Sequence, residues 1–157
     1  MSSAARVDET RARAEPGVSY AIARLQQRIF AAVTERVAQH GLTTLQFTTL
    51  SVLNRHGAPL STSQLARRAF MTPQSMSEVI HALESKGLIK RNPHPNHRRT
   101  LPATLTPKGR RLLTACEEAV AEFEDAMLDG FSKEDRAAFI DMIKAAVRNL
   151  GSGFPID

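Results

Sequence analysis

The strongest constraint on this chain is the density of helix start and stop signals between residues 61 and 111. Ser61 has Gln64 three residues later, the spacing at which a hydroxyl and an amide satisfy each other's backbone donors at a helix start. Thr72 is followed at once by Pro73, a capping residue and then a ring that presets the first helical φ. Gly87 stops that helix, and Thr106-Pro107 repeats the cap-plus-proline signal. A helix from Thr62 to about Phe70 and a second from Pro73 are therefore expected, the second burying Met76, Val79, Ile80 and Leu83. Leu88 to Asn92 reads as a short strand and Pro93-His94-Pro95-Asn96 as a tight loop. Arg99 to Leu105 is the return strand, with Pro102 demoting part of it to an edge.

Longer helices flank this block. From Val18 to Gln39, Ile22, Leu25, Ile29, Val33 and Val37 recur at three- and four-residue steps, and Gly41 ends the run. Thr43 or Thr44 caps the next helix, whose apolar set is Leu45, Phe47, Leu50, Val52 and Leu53, and Gly57-Ala58-Pro59 ends it. After Pro107, Leu112, Leu113, Cys116, Val120, Phe123 and Met127 share a face until Gly130. Ser132, with Asp135 at the capping-box position, opens a last helix carrying Phe139, Ile140, Ile143, Val147 and Leu150. Residues 1–17 have Val7 as their one large apolar residue after Met1 and read as a disordered arm.

Charge separates the same block from the rest. Residues 61–111 hold ten Lys or Arg against two acids, Glu78 and Glu84, a net of +8. The remainder holds eleven against fourteen, a net of −3, so the overall +5 conceals one strongly basic segment. That is the footprint of a phosphate-binding face. No run approaches the ~18 apolar residues needed to span a bilayer. The polar N-terminus lacks the apolar core of a secretory signal, and the single Cys116 suits a reducing compartment, so a cytoplasmic protein is expected.

Two short helices and a basic hairpin have the layout of a winged helix-turn-helix, which lays its second helix in a DNA major groove. The expected fold class is mainly α with a small β-hairpin wing, flanked by long helices. From Val18 to Leu150 the chain resembles the MarR (multiple antibiotic resistance regulator) family. Leu42-Thr43-Thr44-Leu45-Gln46-Phe47 with Leu50 and Leu53 resembles the family's second helix, and Gln64-Leu65-Ala66 its third. Ser75-Met76-Ser77, then Leu83-Glu84-Ser85-Lys86-Gly87-Leu88-Ile89, is similar to its recognition helix and wing entry. Arg98-Arg99, then Leu105-Thr106 and Gly109, resembles the wing and the start of the fifth helix.

The resemblance implies a homodimer on a pseudo-palindromic operator, with 42–105 as the DNA-binding unit and 18–41 with 106–150 as the dimerisation region. It also implies a small phenolic or anionic effector that releases double-stranded DNA. Two departures stand out. The family's wing carries acidic-Pro-x-acidic-Arg-Arg, whereas here His94 and His97 take both acidic positions. Glu78 stands where a basic residue is common, and Glu accepts from cytosine N4 while repelling phosphate.

Thr72, Gln74, Ser75, Ser77, Glu78 and His81, at the start and along one face of the recognition helix, are the candidates for base and phosphate contact. Arg67, Arg68, Lys90 and Arg91 are expected to position the protein on phosphates. By resemblance Arg98 enters the minor groove and Arg99 binds phosphate or braces the wing. His97 in the wing predicts pH-sensitive binding, because His titrates near neutrality. His94 and His97 also form an H-x-x-H, but with no nearby acid or Cys no metal is expected. Lys108, Arg110 and Arg111 balance Glu117 and Glu118. Tyr20, Arg24, Arg28, His40, Phe47 and His56 could line an effector pocket, and core or surface placement is the competing reading.

Cys116 on an apolar stripe reads as buried and structural. The chain has no nucleophile elbow, H-E-x-x-H or phosphate loop, and Glu117, Glu118, Glu122, Glu124 and Asp125 read as a solvated face, so no enzyme and no cofactor are expected. Besides the regulator, a winged-helix protein-interaction module and a pH- or metal-responsive regulator remain as alternatives.

Overall fold

The computed structural model describes residues 17–92 and 101–151. Eight elements follow in the order α1 (Val18–Gln39), α2 (Thr44–His56), α3 (Thr62–Arg68), α4 (Pro73–Ser85), β1 (Ile89–Arg91), β2 (Ala103–Leu105), α5 (Pro107–Met127) and α6 (Lys133–Asn149). The starts of α2 to α6 are each fixed by a local device. Thr43, Ser61 and Ser132 form full capping boxes with Gln46, Gln64 and Asp135. Thr72 and Thr106 accept from the backbone N–H groups of Ser75 and Gly109, each with proline in the first turn. The helix-two cap is thus Thr43.

Among the described residues the paired segments are shorter than the expected strands. β1 and β2 are antiparallel, pairing Ile89 with Leu105, Lys90 with Thr104 and Arg91 with Ala103. Leu88 and Asn92 fall outside β1; opposite Asn92, Pro102 has no N–H to return. The Asn92 N–H still donates to the Pro102 carbonyl at 3.3 Å. Ala103 also exchanges backbone bonds with Leu60, which joins the hairpin to the segment before α3.

The core lies where α2, α3, α4, the hairpin and the first half of α5 meet. Leu50, Leu60, Leu65, Met76, Ile80, Leu83, Leu88, Ile89, Leu113 and Cys116 are all fully buried there. Val79 and Leu112 only edge this core. Two polar residues of α2 join it, each satisfied. The Thr49 hydroxyl donates to the Leu45 carbonyl at 2.8 Å, and Gln46 closes its capping box. Burial pushes the Cys116 thiol pKa up, as expected of an inert thiol rather than a reactive one.

Outside this unit the burial pattern changes. α1 buries only Val37, and α6 buries no residue. Val18, Tyr20, Ile22 and Phe30 on α1 are exposed, as are Ile140, Met142, Ile143 and Leu150 at the other end of the chain. α1 meets α5 where the Arg36 guanidinium sits 4.8 Å from the centre of the Phe123 ring. No helix among the described residues is long and apolar enough to cross a membrane.

Candidate nucleic-acid interface

Helix α4 has two opposed faces. Met76, Ile80 and Leu83 are buried, while Gln74, Ser77, Glu78 and His81 are exposed and fall at three- and four-residue steps on one stripe. Thr72 is exposed at the helix start, where its hydroxyl donates to Ser75 Oγ at 2.9 Å and accepts from the Ser75 N–H at 3.1 Å. The N-terminal N–H groups and polar side chains therefore open onto the same end of the helix. α3 packs behind α4, with Leu65 and Ala66 buried, Arg67 exposed and Arg68 half-buried.

The base of the hairpin is braced against α4. Arg91 Nε and a terminal nitrogen both donate to one Glu84 carboxylate oxygen, at 2.9 and 2.6 Å. That hydrogen bond holds the Glu84 carboxyl below the usual carboxylate range, outweighing the opposing desolvation. Arg91, expected at a phosphate, is thus held in place by Glu84 and stays partly exposed. Lys90, its exposed neighbour, keeps a solvent-facing ammonium. His94, His97, Arg98 and Arg99 lie outside the described residues.

Two lysines tie this unit to its surroundings. Lys86 Nζ donates to the Gly41 carbonyl at 2.7 Å and to Gln46 Oε1 at 3.0 Å, joining the end of α4 to the α1–α2 turn. Lys108 Nζ donates to the Lys86 carbonyl at 2.8 Å. Lys108 thus caps α4 from outside, and does not serve to balance the acids of α5. Arg110 reaches the Leu105 carbonyl at 3.4 Å. The Thr106 hydroxyl bonds the Gly87 and Leu88 carbonyls. A Cβ on Gly109 would stand 2.0 Å from the Leu88 carbonyl oxygen, so α5 meets the hairpin backbone with no space for a side chain. Lys86 and Gly109 were missed as site-positioning residues, since neither long-range contact leaves a trace in local spacing.

A groove of about 360 Å³ runs between α2 and α5, lined by Phe47, Thr48, Ser51, Arg55, Glu117, Val120, Ala121 and Glu124. Of the six expected pocket residues only Phe47 lines it. Tyr20, Arg24, Arg28 and His56 are exposed and His40 is half-buried, because they occupy other faces of α1 and α2. Thr48, Ser51 and Arg55 follow Phe47 at helical spacing, a signal that sequence reading could have used. The α5 acids Glu117, Glu118, Glu122, Glu124 and Asp125 are all exposed, as expected of a solvated face; Glu117 and Glu124 also line the groove, and Asp125 pairs with Arg136 at 2.6 Å. Among the described residues no group of three or more His, Cys, Asp or Glu could hold a metal.

Comparison with known proteins agrees with this architecture. The family model described as MarR family matches residues 40–100. The HTH-type transcriptional repressor Mb2911 of Mycobacterium bovis is 33% identical over 120 residues, which span 76% of this chain and 83% of the relative. The HTH-type transcriptional repressor NicR of Pseudomonas putida is 23% identical over 145 residues, 92% of this chain and 91% of the relative. Among solved structures, the transcriptional repressor CouR bound to a 23-mer DNA duplex superposes with a TM-score of 0.74 at 28% identity, over 83% of this chain and 92% of that one. Wild-type MarR from E. coli, at 19% identity and a TM-score of 0.72 over 83% of this chain and 97% of that one, shares the fold. With its winged helix-turn-helix unit, its exposed recognition stripe and this degree of identity, the chain belongs to the MarR family, whose members are transcriptional regulators and not enzymes.

Proposed function

We propose that the protein is a homodimeric, sequence-specific repressor that binds a pseudo-palindromic DNA duplex and is released by a small molecule. The observation that carries this reading is α4, with one stripe fully buried and the opposite stripe, Gln74, Ser77, Glu78 and His81, polar and open. In this arrangement α4 enters the major groove. Thr72, Gln74 and Ser75 reach base edges or phosphates from its first turn, and Arg67, Arg68 and Lys90 flank it on the backbone. Glu78 favours cytosine, and Arg98 and Arg99 of the wing meet the minor groove and its phosphates.

Residues 42–105 form the DNA-binding unit, and 18–41 with 106–150 the dimerisation region. The dimer reading is supported by the large apolar residues that α1 and α6 leave exposed, Ile22, Phe30, Ile140 and Ile143 among them. Two recognition helices then sit about one DNA turn, ~34–36 Å, apart. The α2–α5 groove is the effector site. With Phe47 and Val120 apolar, Glu117 and Glu124 acidic and Arg55 basic, it suits a neutral phenol better than an anion.

The test is selection of bound duplexes from a random DNA pool. An inverted repeat with half-sites one turn apart, bound with strong salt dependence, is expected. Enrichment of no motif, with a purified dimer, would overturn the reading in favour of a protein-interaction module.

A further inference from the structure

Three helices of this molecule end in the same backbone motif, and one of them departs from the rule for it. At the end of α1 the Gly41 N–H donates to the Ala38 carbonyl and the Leu42 N–H to Val37, at 2.9 and 3.0 Å. At the end of α4 the Gly87 N–H donates to Glu84 and the Leu88 N–H to Leu83, at 2.8 and 3.0 Å. Both glycines are left-handed, with φ of 72° and 70°. This pair of crossed bonds requires a left-handed residue after the cap, where a Cβ is disfavoured and glycine is usual. At the end of α3 the same pair recurs, from Phe70 to Arg67 at 3.4 Å and from Met71 to Ala66 at 2.8 Å. Here the left-handed residue is Phe70, at φ 55°, and it is the one non-glycine residue at positive φ among those described.

The ring is not held there by burial. Phe70 is 59% exposed, whereas Met71 packs against the core. Two residues after Phe70 comes Thr72, the cap of the recognition helix, and Arg67 is exposed one turn before it. Strained backbone clusters at functional sites, and here it presents a large apolar side chain beside a binding face. We infer that Phe70 is a specificity-determining residue whose ring makes an apolar contact with DNA at the edge of the major groove, fitting the C5-methyl of a thymine.

The chemistry favours this target. The thymine methyl is the only apolar group a base pair presents in the major groove, and an aromatic ring is among the side chains that read it. The polar and charged residues along α4 read hydrogen-bond donors and acceptors and leave the methyl unread. The inference rests on the DNA-binding reading above, and the experiment separates the two. Duplexes are selected from a random pool with the full-length wild type and with Phe70→Gly, and the wild-type motif is then remade with uracil for thymine at each enriched position.

Phe70→Gly relieves the backbone, so it is expected to remain a folded dimer with an unchanged or higher melting temperature. It should bind the wild-type motif about tenfold more weakly, with the same salt slope. One symmetric pair of thymines should lose its enrichment. Replacing those thymines by uracil should weaken the wild type several-fold and leave Phe70→Gly unaffected. Equal affinity and an equal motif for both proteins overturn the inference while the DNA-binding reading stands. A change of salt slope by one or more overturns the apolar contact. Loss of the folded dimer in both Phe70→Gly and Phe70→Asn makes the ring structural and also overturns it. A wild type that selects no motif overturns both readings.

Discussion

Two residues show how narrowly the interface is positioned. Gly109 has no room for even a methyl group, because the Leu88 carbonyl oxygen occupies the space. Gly109→Ala must push α5 off the hairpin, and overpacking of this kind costs about 1–3 kcal/mol. Chemical denaturation should show that loss, and wing-dependent DNA affinity should fall with it. Lys86 is the second case, an ammonium shared between Gly41 and Gln46. Lys86→Met keeps the alkyl stem and removes both bonds. A loss of about 1.5–3 kcal/mol is the upper range for a charged donor, and exposure of the lysine lowers it toward ~1 kcal/mol. An unchanged denaturation midpoint in this variant would mean that the α1–α2 turn holds its position without it. Lys86 and Gly109 belong to the segments that carry the family resemblance, but neither contact was legible in the sequence, since the partners of each are set by tertiary packing.

At the scale of elements, legibility followed locality. Capping is decided within four residues, so the starts of α2, α3, α4, α5 and α6 could be read from Thr43, Ser61, Thr72, Thr106 and Ser132. Thr72→Ala should cost about 1 kcal/mol and fray the first turn of the recognition helix, visible as faster amide exchange at Ser75. Strand length was less legible, because pairing depends on what stands opposite: Asn92 faces Pro102, which has no N–H to return, and lies outside β1. The end of α3 was misread toward Phe70, since no sequence rule expects phenylalanine in a left-handed turn.

The brace between α4 and β1 belongs to this scale too. The Glu84 pKa is depressed in the folded protein, so its contribution is present above the unfolded pKa and is lost as pH falls through the folded one. The side chains are about one-third exposed, which limits the pair to ~0.2–1 kcal/mol. Acid titration of stability should therefore be flatter in Glu84→Gln below the usual carboxylate range, and the two proteins should differ by a constant amount near neutrality. Parallel acid limbs in both would show that the pair does not hold the hairpin.

For the whole molecule, the sequence carried the apolar stripes of α1 and α6 but could not say what covers them. Burial settles half of that: Val37 is covered by its own chain, while Ile22, Ile140 and Ile143 are not. Ile143→Asp places a charge on the uncovered surface. Sedimentation should show a shift from dimer to monomer, with a fall in melting temperature that depends on protein concentration. A monomeric wild type would remove the dimerisation region from the account. The groove illustrates the complementary limit, because Phe47 could be placed on α2 from sequence whereas its partners on α5 come from tertiary packing.

The absence of space at Gly109 has a mechanical meaning. α5 has 21 residues, so it is a rod of about 31 Å, butted at one end against the hairpin. Such a rod cannot slide over its seat. A sideways push of ~3 Å at the Met127 end becomes a tilt of about 6° at the Gly109 fulcrum, and the close contact there passes that tilt to the hairpin backbone. The helix is thus geared to the wing as a lever, delivering rotation where it receives translation.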